Sequence, residues 1–220
     1  MNDQAAATPE QPETRSPTSL DEALQSLPAR SARGLRLARL AGTHALVLLL
    51  AFSLFAAADS WRLLSGLGVA SALAVATGAL AGITFTTLVH EWFHYLGARF
   101  SGGAYGIPEK KGLFVYDWDF ARNNVSQFFF MSIAGTVGGV VSLVLLWASL
   151  PADTLGRAAV YGGAVAGFVF GTVIEWPVLR RVRFGGEPLA ELSKINQRVL
   201  TQAFVAAALA GIATLLILHA

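Results

Sequence analysis

Cysteine is absent from the 220 residues. The chain can therefore have no disulfide framework and no thiolate metal site, so any metal must be held by His, Asp or Glu. Charge is scarce as well: Asp, Glu, Lys and Arg make up 14% of the chain, against about 25% in soluble domains. With 54% hydrophobic residues and a mean hydropathy of +0.54, a water-soluble globule is excluded. Neither sign of charge dominates, because 16 Lys and Arg meet 14 Asp and Glu, and nothing favours a nucleic-acid partner.

Residues 1–35 lack a sustained apolar face and are rich in Pro, Ala, Ser, Thr and Gln. Such a segment cannot bury enough surface to order itself, so a disordered cytoplasmic tail is expected, with a short helix around 20–27. It does not read as a secretory signal, since the first long apolar run begins only near Ala41. Five apolar stretches follow, at about 41–58, 67–98, 127–150, 158–178 and 199–218. Each matches the roughly 20 helical residues that cross a bilayer. The second is longer than needed, so it must tilt, break at a glycine or project beyond the membrane. The expected fold is an all-α polytopic membrane protein of about five transmembrane helices, residues 36–220 forming one transmembrane domain.

Loop charges set the orientation, because short cytoplasmic loops retain Lys and Arg. Fourteen of the 16 basic residues fall before the first span, between the second and third, or between the fourth and fifth; only Arg62 and Arg157 lie on the other side. The N-terminus is therefore expected in the cytoplasm, in a bacterial inner membrane. The loop from Ser101 to Asn124 contains Gly-Gly, Ile-Pro and Lys-Lys-Gly punctuation and an alternating Phe114 to Phe120 segment. That pattern predicts a small cytoplasmic β-hairpin between the second and third spans. An edge strand there could hold an extended peptide through main-chain hydrogen bonds.

Ionisable side chains inside hydrocarbon are costly, so each needs a partner, a cavity or a task. The second span contains His90-Glu91-Trp92-Phe93-His94, and the fourth contains Glu175 within Ile174-Glu175-Trp176-Pro177. His90 and His94 lie one above the other on a helix, so both imidazoles can reach one metal. Glu91 sits about 100° round from His90, beside the site and available to an activated water. This is the HExxH arrangement of zinc hydrolases. His44, alone near the cytoplasmic end of the first span, reads as hydrogen-bonded or snorkelling rather than as a ligand. His219 is at the extreme C-terminal end.

A catalytic zinc usually takes three protein ligands. Position 100, where one zinc-peptidase pattern would place a histidine, is Phe, and Glu109 lies in a loop. Glu175 is favoured on depth, since it precedes Arg180 by five residues just as His94 precedes Arg99 by five. Pro177 cannot donate to the carbonyl four residues earlier, which kinks or opens the helix near Glu175. Asp117 and Asp119 remain as alternatives, and Glu175 could instead pair with Arg180 or Arg181. Glycines four residues apart (Gly78 and Gly82; Gly135 and Gly139; Gly163, Gly167 and Gly171) predict close packing of the second, third and fourth spans.

The run from His90 to Arg99, with Gly97-Ala98-Arg99 closing it, and Ala134-Gly135 early in the next span resemble the site-2 protease family of intramembrane zinc metallopeptidases. That family has a three-span core with HExxH on the first span and the last ligand on the third. Residues 67–180 follow that order, roughly half the chain. The resemblance implies Zn2+ on His90 and His94, Glu91 as general base, and a membrane protein or membrane-adjacent peptide as substrate. Two motifs depart from it: Ile174-Glu175-Trp176-Pro177 stands where an LDG aspartate is usual, and Ala134-Gly135-Thr136-Val137-Gly138-Gly139 replaces AGPxxN. The expected function is zinc-dependent hydrolysis of peptide bonds near the cytoplasmic face. An inactive membrane adaptor stapled by its metal is the alternative, ahead of a metal-ion carrier, which would need more ligands along a path.

Overall fold

A computed structural model of the chain describes residues 29–109 and 112–219. The predicted helix around 20–27, Lys110 and Lys111 lie outside the described residues. The elements are α1 (Ala29–Ser65), α2 (Gly68–Phe100), β1 (Tyr105–Gly106), β2 (Asp117–Trp118), α3 (Val125–Ser149), α4 (Leu155–Arg183), α5 (Pro188–Leu192) and α6 (Gln197–His219). Five of these helices are long and apolar enough to cross a membrane. The molecule is an all-α polytopic membrane protein carrying one two-stranded sheet.

Helix α1 starts at Ala29, inside the segment that composition assigns to the tail. Its early turns are held from outside: Arg33 donates to the Tyr105 carbonyl and lies over the Tyr105 ring, and Arg36 pairs with Glu109 at 3.1 Å. Helix α2 has 33 residues and does not break at its glycines. At about 1.5 Å per residue it is some 50 Å long, beyond the roughly 30 Å of hydrocarbon, which leaves tilt or projection to absorb the excess.

α2 is the central helix, packing on α1, α3 and α4, while α4 also carries α6. Glycine sets the closest of these approaches. A Cβ on Gly82 would strike the Val160 carbonyl, and one on Gly163 would strike the Ala79 carbonyl, so α2 and α4 meet backbone to backbone. Buried Thr86 and Ser142 tie α2 to α3 by a 3.0 Å hydroxyl bond. In α3 the glycines act differently from the packing expected of them. Gly135, Gly138 and Gly139 make room for the side chains of His94, Phe93 and Phe168, not for a neighbouring backbone.

The predicted hairpin is present but short. Tyr105 pairs with Trp118 and Gly106 with Asp117, antiparallel, so the alternating 114–120 segment contributes only two residues of strand. The loop is anchored by side chains instead. His44 bonds the Gly112 carbonyl at 3.0 Å, and Asn123 both donates to and accepts from the Ala104 backbone. The start of α3 is fixed by an Asn124–Gln127 capping box, whose Gln127 amide also reaches the carbonyls of Ser101 and Gly102. That contact docks the first turn of α3 on the last turn of α2, and one turn further on Met131 meets His94.

Candidate metal centre

The helical spacing of His90 and His94 turns both imidazoles towards α4, where Glu175 stands. Glu175 Oε1 lies 2.9 Å from His90 Nε2 and 3.1 Å from His94 Nε2, and the two Nε2 atoms are 2.9 Å apart. Among the described residues these three form a group able to hold a metal ion, with one ligand atom from each within 4.8 Å of the others. Helix α4 continues unbroken through Pro177, so the proline withholds a hydrogen bond from Val173 without ending the helix.

The orientation of His94 comes from the backbone of α3. Its Nδ1 lies 2.9 Å from the Met131 carbonyl. A carbonyl only accepts, so Nδ1 carries the hydrogen and, in the neutral ring, Nε2 presents its lone pair to Glu175 and His90. An outer hydrogen bond of this kind fixes tautomer and ring angle in metal-binding histidines. Gly135 completes the arrangement, because a Cβ there would overlap the His94 ring.

His94 Nε2 and Glu175 Oε1 are acceptors aimed at one point with His90 Nε2, a cluster that either a hydrogen on His90 Nε2 or a cation bound among the three atoms satisfies. Glu175 Oε2 is buried without a hydrogen-bond partner, and no Lys or Arg pairs with Glu175 or Glu91 among the described residues. The donor set therefore fits a borderline-soft divalent ion such as zinc. Bonds of about 2.0–2.1 Å in a tetrahedron require ligand atoms roughly 3.3 Å apart, a few tenths of an ångström wider than these distances.

Glu91 is buried and makes no ion pair among the described residues. It lines a cavity of about 320 Å³ together with His94 and Glu175. The cavity is walled by aromatic residues of the hairpin segment, Tyr116, Trp118 and Phe120, and extends to Leu192 of α5. Tyr116 donates to the Met131 sulfur at 2.8 Å. Burial, and then the charges of Glu91 and Glu175, push its phenol well above the usual range, so it stays a neutral hydrogen-bond donor.

The other sequence candidates lie apart from this group. Asp117 is exposed on β2, and Asp119 accepts from the Ala121 and Arg122 amides, closing a turn. Arg181 pairs with Glu191 at 2.6 Å and not with Glu175. His44 is buried between Gly112 and the indole N–H of Trp92, which donates to its Nδ1 at 3.1 Å. Two parts of the centre had no reading in the sequence. The Met131 carbonyl has no side-chain signal, and the alternation of 114–120 signals a strand without signalling a cavity wall. Gly135 carries a signal in its glycine spacing, which predicts helix packing, whereas the space it leaves is filled by the His94 ring.

Comparison with protein-family models, with curated proteins and with solved structures finds no match.

Proposed function

We propose that the protein is an intramembrane zinc-dependent endopeptidase, hydrolysing peptide bonds of membrane-spanning or membrane-adjacent segments near the cytoplasmic face. The observation that carries this reading is the convergence of His90, His94 and Glu175 on one point, with Glu91 lining the adjoining cavity and making no ion pair among the described residues. The charge asymmetry of the loops supports an N-terminus in the cytoplasm, and the membrane we propose is a bacterial inner membrane.

His90, His94 and Glu175 would hold the ion, and the Met131 carbonyl keeps His94 in the ligating tautomer. When bound, zinc supplies Lewis acidity towards a peptide carbonyl and towards water. Glu91 takes the proton of the attacking water as the carbon–oxygen bond forms, then passes it to the amine nitrogen as the carbon–nitrogen bond breaks. The aromatic walls limit the water around this carboxylate, which strengthens its charge interactions with the reacting atoms.

The test compares wild-type and Glu91→Gln proteins for release of membrane segments in proteoliposomes, with zinc measured in both. The expected result is unchanged zinc and a loss of turnover on the order of 10²–10⁴, the usual contribution of a general base. Equal cleavage by both would overturn the role of Glu91. Retained zinc with no cleavage by wild type would leave the metal-stapled adaptor in its place.

A further inference from the structure

The cytoplasmic end of α4 carries three arginines with two different fates. Arg181 turns to buried Glu191. Arg180 and Arg183 are exposed and form no ion pair or side-chain hydrogen bond among the described residues. With Trp176 and Phe184 they make one stripe at helical spacing, i, i+4, i+7 and i+8. Phe129 and Ile133 of α3 stand opposite, and together these six line a groove of about 960 Å³. Its apolar members are open to the surroundings: Trp176 is 52% exposed, Ile133 47% and Phe184 79%.

A second groove on the same bundle provides a contrast. It lies between α2 and α3, about 360 Å³, and its lining, which includes Phe93, Phe100 and Phe130, has no charged residue. Ordinary lipid chains satisfy such a surface. The α3–α4 groove adds two cations one turn apart at its water-facing end and an indole at the level where tryptophan meets headgroups. Basic recesses between membrane helices on the basic face of a membrane protein recognise anionic headgroups.

We propose that the α3–α4 groove is a binding site for one anionic phospholipid of the leaflet on the arginine-rich side. Its phosphate lies between Arg180 and Arg183, and an acyl chain runs against Trp176, Phe129 and Ile133. The charge of the rim and the apolar length of the groove match a molecule that is anionic at one end and hydrocarbon at the other. The assignment does not depend on peptidase activity.

The experiment offers the purified full-length protein equimolar phosphatidylglycerol and phosphatidylcholine with the same acyl chains and reads retained lipid by native mass spectrometry. One phosphatidylglycerol per chain is expected in preference to phosphatidylcholine. At about 1 kcal/mol for each basic residue near the surface, Arg180→Gln or Arg183→Gln should lower the preference roughly fivefold, and the double variant roughly thirtyfold. Arg198→Gln, outside the groove, should leave it unchanged, and millimolar inorganic phosphate should not displace the lipid. A second measurement uses quenching by brominated lipids, with the Trp176 signal taken as the difference between wild type and Trp176→Phe. Brominated phosphatidylglycerol should quench it more than brominated phosphatidylcholine. Equal retention of the two lipids, a preference that survives in the double variant, or displacement by phosphate would each overturn the proposal. So would Trp176 shielded from both lipids by a second copy or a bound peptide.

Discussion

The bundle buries acidic groups at both of its ends and treats them in opposite ways. Near the junction of α1 and α4, buried Asp59 lies 3.1 Å from Arg62 and 3.5 Å from Arg157. These two are the basic residues that the charge count isolates on the far side of the membrane. At the other end, Glu175 and Glu91 have imidazoles for neighbours and no arginine or lysine paired with them among the described residues, although Arg180 and Arg181 follow Glu175 within two helical turns. The first arrangement supplies cations to its carboxylate from within the bundle, with Arg62 Nη2 left buried without a hydrogen-bond partner among the described residues. The second brings three possible ligand atoms to one point beside a carboxylate that has no ion pair among the described residues, an arrangement that could hold a metal ion.

Replacing Glu175 by Ala should have the largest effect, because it removes the only anionic member of the set. Zinc affinity, measured by competition with a chromophoric chelator, should fall by more than the roughly 100-fold seen when an outer hydrogen-bond partner is lost. Gly135→Ala leaves all three ligands but pushes a methyl group into the His94 ring. A drop of about 10- to 100-fold in zinc affinity is expected, with the helices otherwise intact. Unchanged affinity would mean that the ring position does not matter.

Asp59→Ala probes the opposite end and should leave zinc binding alone. It leaves Arg62, whose side chain is 21% exposed, without its carboxylate, while Arg157, 27% exposed, keeps Asp153 at 2.8 Å. The loss should therefore be about 1–2 kcal/mol in unfolding experiments, less than for a pair cut off from solvent. A change in zinc content of this variant would erase the distinction between the two ends.

Glu191 is a third kind of acid, buried on the short helix α5 between α4 and α6. The Lys194 ammonium and then the Arg181 guanidinium hold its carboxyl below the ordinary carboxylate range. Because the folded value is depressed, its contribution is complete above the unfolded value of about 4.3 and is lost as pH falls through the folded one. Glu191→Gln should remove that part of the acid-side loss of stability in a thermal melt recorded against pH, the smallest effect of the series.

Hydropathy and helical spacing made much of this legible. Long apolar runs announce five helices because a bilayer needs a fixed length of them, and an i, i+4 histidine pair on a helix can face one way only. Glu175 was reachable by counting depth from the arginines, since helices rise by a constant amount per residue. The hairpin was legible in its turns and not in its extent. Side chains such as His44 and Asn123 hold that loop, and periodicity carries no trace of bonds to backbone carbonyls. The same reason hides Met131, whose contribution is a main-chain oxygen, and the role of Gly135, where the sequence shows a missing side chain without showing what occupies its space.

The central claim is that His90, His94 and Glu175 hold one divalent ion. Elemental analysis of the purified full-length protein, alongside His94→Ala and Asp59→Ala, tests it most directly. One zinc per chain in wild type and in Asp59→Ala, with none in His94→Ala, is the predicted result. A wild type that binds no metal after exposure to zinc, or a His94→Ala protein that binds as much as wild type, would contradict it.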